Sequence, residues 1–116
     1  MRIKNISVFN AADMGASLES TPVYVGHIYG WALQGSWSGT SPVGDIKLQV
    51  SCDEGRTEED PTGVTNWSDT DTVNVAANSG AFFVNKDGQY ARWVRVVYTR
   101  TGGTGSVTAR LNIKGT

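Results

Sequence analysis

The chain has little of what marks a secreted, membrane-spanning or nucleic-acid-binding protein. Its 116 residues include a single cysteine, so no disulfide can form within the chain and the fold must depend on packing. No uncharged apolar run approaches the roughly eighteen residues of a membrane span, and the N-terminus lacks the apolar core of a signal peptide. The formal net charge of -1 argues against a general polyanion binder. We therefore expect synthesis in the cytoplasm without a signal peptide, and neither a nucleic acid nor a membrane as partner.

Residue types that perform catalysis or hold metals are equally scarce. His27 is the single histidine, and the sequence contains no HExxH, GxSxG or CxxC motif and no P-loop. The carboxylates between Asp53 and Asp71 lack the DxDxDG spacing of a calcium loop. We interpret His27 as a structural residue and residues 54–71 as a solvated, mobile loop anchored by Trp67. The sequence thus predicts a protein that is not an enzyme and uses no metal or cofactor.

What the sequence does contain is a series of short alternating segments separated by turn residues, with 14 glycines and 3 prolines. About seven or eight such segments are typical of an all-β fold, and we predict an antiparallel β-sandwich or jelly roll. We expect one domain, in which residues 1–20 form an N-terminal strand and arm and residues 21–116 form the sandwich.

Two of these segments lead to specific expectations. Residues 91–114 contain two alternating arms on either side of the glycine-rich stretch Thr101–Gly105, and we interpret them as a β-hairpin. In the segment 45–53, Cys52 shares its side with Ile46, Leu48 and Val50. We therefore expect Cys52 to be a small buried hydrophobe rather than a nucleophile.

Aromatic and basic residues are the remaining candidates for function. In the segment 21–37 both sides are largely apolar, so Trp31 and Trp37 either fill the core, which is the commoner situation, or form a platform for a sugar or a protein. Arg95 and Arg110 lie on the outward sides of their strands and are predicted to be cross-strand neighbours. Such a pair would require a carboxylate between them, for example from the acidic loop of another copy, whereas the alternative is a solvated face.

Three stretches carry a resemblance to a known family. GDIKLQVSCDEG, TNWSD and SGAFFVNKDGQYARWVRVVYTRTGGTGSVTARLNIKG together resemble small virion-associated proteins of tailed bacteriophages. Members of that family serve as capsid decoration or cement proteins, head fibres or tail accessory proteins. A looser similarity links the same stretches to discoidin-like β-sandwiches, which bind sugars or lipids.

The phage resemblance implies a structural protein of the virion that binds the major capsid protein or another virion protein and stabilises the head. We expect a homo-oligomer, a dimer or a trimer, because closed symmetry suits the axes of a lattice. The candidate interface residues are Tyr24, Tyr29, Trp31, Trp37, Arg95 and Arg110. The alternative function is a glycan- or receptor-binding module, or a tail or fibre accessory protein, and the candidate ligand residues of the binding module are Trp31, Trp37 and Trp67.

Overall fold

The structure is a computed structural model that describes residues 2–26, 28–87 and 91–115, with side chains described over 4–26, 30–86 and 91–114. The roles predicted for His27 and for the side chain of Tyr29 therefore lie outside the described residues. The strands are β1 (Arg2–Asp13), β2 (Leu18–Glu19), β3 (Val23–Tyr24), β4 (Ile28–Ser51), β5 (Ser68–Val75), β6 (Ser79–Asp87) and β7 (Trp93–Gly115). The described residues form no helix that is long and apolar enough to cross a bilayer.

Two unusually long strands determine the architecture. Strand β4 has 24 residues and β7 has 23. At about 3.3 Å per residue each would extend for roughly 75–80 Å, yet the longest dimension of the molecule is 40 Å. Both strands therefore bend back on themselves. The bends lie next to each other at Ser41 and Gly103, which have φ angles of 49° and 74°.

Each bend divides its strand between two layers. We call the halves of β4 before and after the bend β4a (28–40) and β4b (43–51), and the halves of β7 β7a (93–102) and β7b (104–115). Layer one has the order β1-β7b-β4a-β6, and layer two has the order β2/β3-β7a-β4b-β5. All of these pairings are antiparallel, as predicted.

The order of pairing is that of a jelly roll. With each long strand counted as two segments and β2/β3 as one, eight segments follow one another along the chain. The first pairs with the eighth, the second with the seventh, the third with the sixth and the fourth with the fifth. The chain is therefore one long hairpin that wraps into two layers, and the loop at its closed end is the acidic loop between β4 and β5 (residues 52–67). The predicted antiparallel β-sandwich with a jelly-roll arrangement is confirmed.

The predicted β-hairpin over residues 91–114 is wrong. Its two arms are both strands, but β7a pairs with β4b and β7b pairs with β4a, so the arms belong to different layers. The glycines between them form a corner instead of a tight turn. A Cβ atom at Gly103 would overlap the carbonyl oxygen of Ser41, which shows how closely the two corners approach. Tyr98 also stabilises this region, because its hydroxyl donates to the Val43 carbonyl at 3.2 Å.

The core between the layers takes side chains from both of them and from the N-terminal segment. Met14 is fully buried, and Phe9 is 5% exposed. The hydroxyl of Ser20 accepts a hydrogen bond from the amide of Val96 at 2.8 Å, and the amide of Ser20 donates to the carbonyl of Val96. Residues 2–20 therefore contribute β1 to layer one and β2 to layer two. Over the described residues, the predicted N-terminal arm is part of the sandwich.

Cys52 is exposed, so its predicted burial is wrong. The alternation of apolar and polar residues in segment 45–53 predicted buried side chains, and Ile46 and Leu48 are indeed at most 2% exposed. However, β4 ends at Ser51 and the chain leaves the sheet there. The side of the strand on which Cys52 would lie therefore no longer faces the core.

Candidate attachment surface

Trp31 and Trp37, two of the candidate interface and ligand residues, lie in the core. Their exposures are 2% and 8%. The ring of Trp37 stacks on Phe82 with centroids 6.3 Å apart, and its Nε1 donates to the carbonyl of Ala77 at 3.0 Å. Of the two alternatives predicted for Trp31 and Trp37, the structure shows the commoner one, in which both side chains fill the core. Neither indole presents a face to a sugar or a partner protein.

Arg95 organises the outer face of layer two. It lies on the side of β7a that points away from the core, and its side chain is 17% exposed. Its Nη1 lies 2.8 Å from Oε1 of Glu19, and its Nε donates to Oε1 of Gln49 at 2.9 Å. Its guanidinium carbon is 4.2 Å from the ring centroid of Trp67, which is a cation–π contact. Trp67 therefore anchors the loop as predicted, and Arg95 is what holds it.

The polar chain continues across the same face to the edge strand. Nε2 of Gln49 donates to Oδ1 of Asp69 at 2.7 Å, and Nζ of Lys47 lies 3.4 Å from the other carboxylate oxygen. These contacts hold the pKa of Asp69 below its ordinary value, and the hydrogen bond from Gln49 is the largest cause. The face thus carries alternating charges that fix one another in place.

Trp93 is an unexpected buried residue on this outer face. It belongs to the outward side of β7a, yet it is 1% exposed. The ring of Tyr24 packs edge-on against it, with centroids 5.3 Å apart at 75°. The acidic loop covers the rest, because a Cβ atom at Gly55 would lie 2.6 Å from the indole of Trp93. In the sequence, Gly55 within a polar loop is the one sign that the loop packs closely on Trp93.

The acidic loop is ordered by its own carboxylates. Asp53 accepts hydrogen bonds from the amides of Thr65 and Asn66, both at 2.9 Å. These bonds hold the pKa of Asp53 below its ordinary value, and the Thr65 amide is the largest cause. Asp60 accepts bonds from the hydroxyl and the amide of Thr62, and its pKa is lowered for that reason. Within the part of the chain that the structure describes, no three metal-ligating side chains converge.

Arg110 lies on the opposite side of the molecule from Arg95. Arg95 pairs in register with Gln49 in layer two, whereas Arg110 pairs with Gln34 and Ser7 in layer one. The predicted cross-strand contact between the two arginines is therefore wrong, and the reason is again the corner in β7. Both do point outwards as predicted. Arg110 donates to Oδ1 of Asn5 at 3.0 Å.

We call the outer face of layer two around Arg95 the attachment surface. It is defined by Glu19, Tyr24, Gln49, Trp67 and Arg95. Two aromatic rings, an arginine and exposed charges lie together there on a sheet that is itself held by the core. Rigid aromatic and arginine side chains of this kind are enriched at the energetic centres of protein interfaces. These side chains are therefore the candidates for contact with a partner surface.

The comparisons with known proteins concern the fold. The chain matches no family model and no curated protein in sequence. Among solved structures it is similar to the SPBc2 prophage-derived protein YomS, with 16% identity and a TM-score of 0.54 over 96% of this chain and 93% of that one. It is also similar to a chain of infectious bursal disease virus, Gx strain, with 11% identity and a TM-score of 0.50. That match covers 97% of this chain and 32% of the viral one. These similarities define a β-sandwich that is shared with phage-derived and viral proteins.

Proposed function

We propose that the chain is a structural protein of a bacteriophage virion, without enzymatic activity, that decorates the capsid lattice and stabilises the head. The observation that carries this proposal is the end-to-end likeness to a prophage-derived protein of nearly the same length. The second viral likeness and the resemblance of residues 44–55, 65–69 and 79–115 to virion-associated proteins point the same way. The partner is the major capsid protein or another virion protein.

The attachment surface supplies a physical means of binding. Trp67 and Tyr24 offer rigid rings that lose little conformational entropy on binding, and Arg95 is already oriented by Glu19 and Gln49. A protein that binds only the assembled lattice stabilises it by mass action, so capsids that carry it should resist heat better. We further propose that the bound form is a dimer or a trimer, which would match a symmetry axis of the lattice.

Co-sedimentation tests the proposal. The gene for the chain is deleted from the phage that encodes it, and the purified chain is mixed with the particles that this mutant phage produces. The bound fraction is measured after centrifugation. We expect saturable binding and a higher temperature of DNA release from the particles. Light scattering of the purified chain, without particles, should give the mass of a dimer or trimer. Immunolabelled micrographs distinguish a place on the head from one on a tail or fibre.

A pair of matched variants locates the contact. Trp67→Ala removes the ring that packs on Arg95 and should weaken binding at least tenfold, as expected for an interface hot spot. Phe83→Ala removes an exposed ring from the opposite layer and should leave binding unchanged. Trp67→Phe keeps an aromatic ring over Arg95 and checks that the loop remains in place. No saturable binding by the unaltered chain would contradict the proposal, and equal loss from both alanine variants would contradict its site.

The tryptophan-based glycan site is not favoured. Of its three candidate residues, Trp31 and Trp37 are in the core. One face of the remaining ring, Trp67, is covered by the guanidinium of Arg95. A sugar that stacked on that face would have to displace a cation already held by Glu19 and Gln49.

A further inference from the structure

A polar depression lies on the outer face of layer one, on the side opposite the attachment surface. Asn112, Ala32 and Asn85 are side by side in register across β7b, β4a and β6. Ala32 and the neighbouring Gly30 give this row a low floor. The depression has a volume of about 270 Å³, and its polar walls are Asn85, Asn112 and Lys114.

The walls carry hydrogen-bonding groups that the described part of the protein does not use. Oδ1 of Asn112 accepts from Nδ2 of Asn5 at 2.6 Å, which orients the amide and leaves its own Nδ2 group for a ligand. No described residue bonds the amide of Asn85, and none forms an ion pair with Lys114. The two amides therefore lie on either side of a small floor, where Asn85 can donate and accept and Asn112 can donate.

An exposed aromatic ring extends the depression. Phe83 is 65% exposed and lies two positions before Asn85 on β6, on the same side of the sheet and about 7 Å away along the strand. A flat apolar ring beside hydrogen-bonding amides matches the two surfaces of a sugar, which has polar edges and an apolar face. Among the described residues, only Phe83 and Val43 are large hydrophobic residues that are exposed. Phe83 is therefore a single exposed apolar ring among the described residues of this face, with space for one sugar ring.

The charge of the face selects the kind of sugar. Lys114 borders the depression, and Arg110 lies in the next row beside Phe83 and Gln34, also without a carboxylate partner among the described residues. In register, Asp87 of β6 lies in the same row as Lys114, on the far side of Gly30. A ligand carboxylate at the β7b end of this face would meet the positive charges of Lys114 and Arg110, whereas a neutral sugar would leave both cations without a counter-charge.

We propose that this depression binds an acidic oligosaccharide. One uronic-acid ring lies on the Gly30 and Ala32 floor, with its hydroxyls on the amides of Asn85 and Asn112 and its carboxylate near Lys114. The next ring packs on Phe83. The inference does not depend on the attachment to a virion, because the two sites use opposite faces. A chain bound through layer two would present this site to the outside.

Calorimetric titration with four probes tests the proposal. The probes are tetragalacturonate, a hyaluronan tetrasaccharide, cellotetraose as a neutral control, and a single-stranded oligonucleotide as a general polyanion control. We expect one or both acidic sugars to bind with one site per chain, at least tenfold more tightly than cellotetraose. In NMR spectra the side-chain amide signals of Asn85 and Asn112 should shift on binding. No binding of either acidic sugar, equal binding of cellotetraose, or equal binding of the oligonucleotide would each overturn it.

Variants place the ligand on this face. Phe83→Ala and Lys114→Ala change exposed side chains and should each weaken binding about tenfold or more, while Phe83→Tyr should retain it. Thr72→Ala alters an exposed side chain of layer two and should have no effect. Co-sedimentation with particles should be the same for all four variants. Sugar binding that survives both alanine changes on layer one would overturn the assignment of the site.

Discussion

Replacing Gly103 tests whether β7 crosses between the layers or turns into a hairpin. Gly103 has a φ of 74°, a conformation that costs a residue with a side chain about 1–2 kcal/mol. A Cβ atom there would also overlap the Ser41 carbonyl, and moving a packed backbone costs a further ~1–3 kcal/mol. We therefore expect Gly103→Ala to lower the free energy of unfolding by about 2–5 kcal/mol, which corresponds to roughly 8 °C or more in Tm.

Gly102 provides the matched control. A Cβ atom at Gly102 would meet nothing within 4 Å, and its φ is not in the left-handed region. Gly102→Ala should therefore leave stability unchanged or raise it by up to about 1 kcal/mol, since it restricts the unfolded chain. In a two-residue hairpin turn of type I′, by contrast, both central residues need positive φ. The free energies of unfolding and the m-values of Gly103→Ala and Gly102→Ala are measured by urea unfolding. An equal loss of stability in both variants would refute our reasoning.

Four further predictions concern the N-terminal segment and the acidic loop. Met14→Ala should cost about 2–5 kcal/mol in urea unfolding, because Met14 is fully buried; a change below 0.5 kcal/mol would mean that the segment is not packed in the core. Cys52 should react with Ellman's reagent in the native protein, and reaction only after unfolding would contradict its exposure. Asp53→Ala should speed tryptic cleavage at Arg56, because the bonds to the Thr65 and Asn66 amides are lost, and cleavage at the unaltered rate would contradict that role. The pKa of Asp53 is lower in the folded chain than its unfolded value of about 3.8. The ionised carboxylate therefore stabilises the loop above about pH 3.8, and this stabilisation is lost as the pH falls through the folded pKa. Cleavage of the loop by an acid protease should accordingly rise below about pH 3.8.

Alternation in the sequence predicted which residues face the core but not which strands are neighbours. Val94, Val96 and Tyr98 on one arm and Val107 and Leu111 on the other are all buried, as their spacing required. The pairing could not be read from the same pattern, because alternation records the side of a strand and nothing about its partner. A run of glycines suits a corner as well as a turn. Ser41, the other half of the corner, gives no signal, since serine rarely adopts a positive φ.

For the candidate surfaces too, the sequence predicted the side on which single residues lie but not which residues are neighbours. The outward position of Arg95 and the anchoring by Trp67 followed from local sequence. The partner Glu19 did not, because it lies 76 residues away and reaches Arg95 only through the pairing of β2 with β7. The depression on layer one was missed for the same reason. Its walls come from β6 and β7b, and Asn85 and Asn112 become neighbours of Ala32 only when both strands pair with β4a.

The most direct test of the proposed attachment is hydroxyl-radical footprinting of the free chain and of the chain bound to particles. The rates of side-chain oxidation are measured by mass spectrometry at Tyr24 and Trp67 on layer two and at Phe83 on layer one. We predict that binding lowers the oxidation of Tyr24 and Trp67 several-fold and leaves Phe83 unchanged. Unchanged rates at all three residues, or protection of Phe83 alone, would contradict attachment to a virion through layer two.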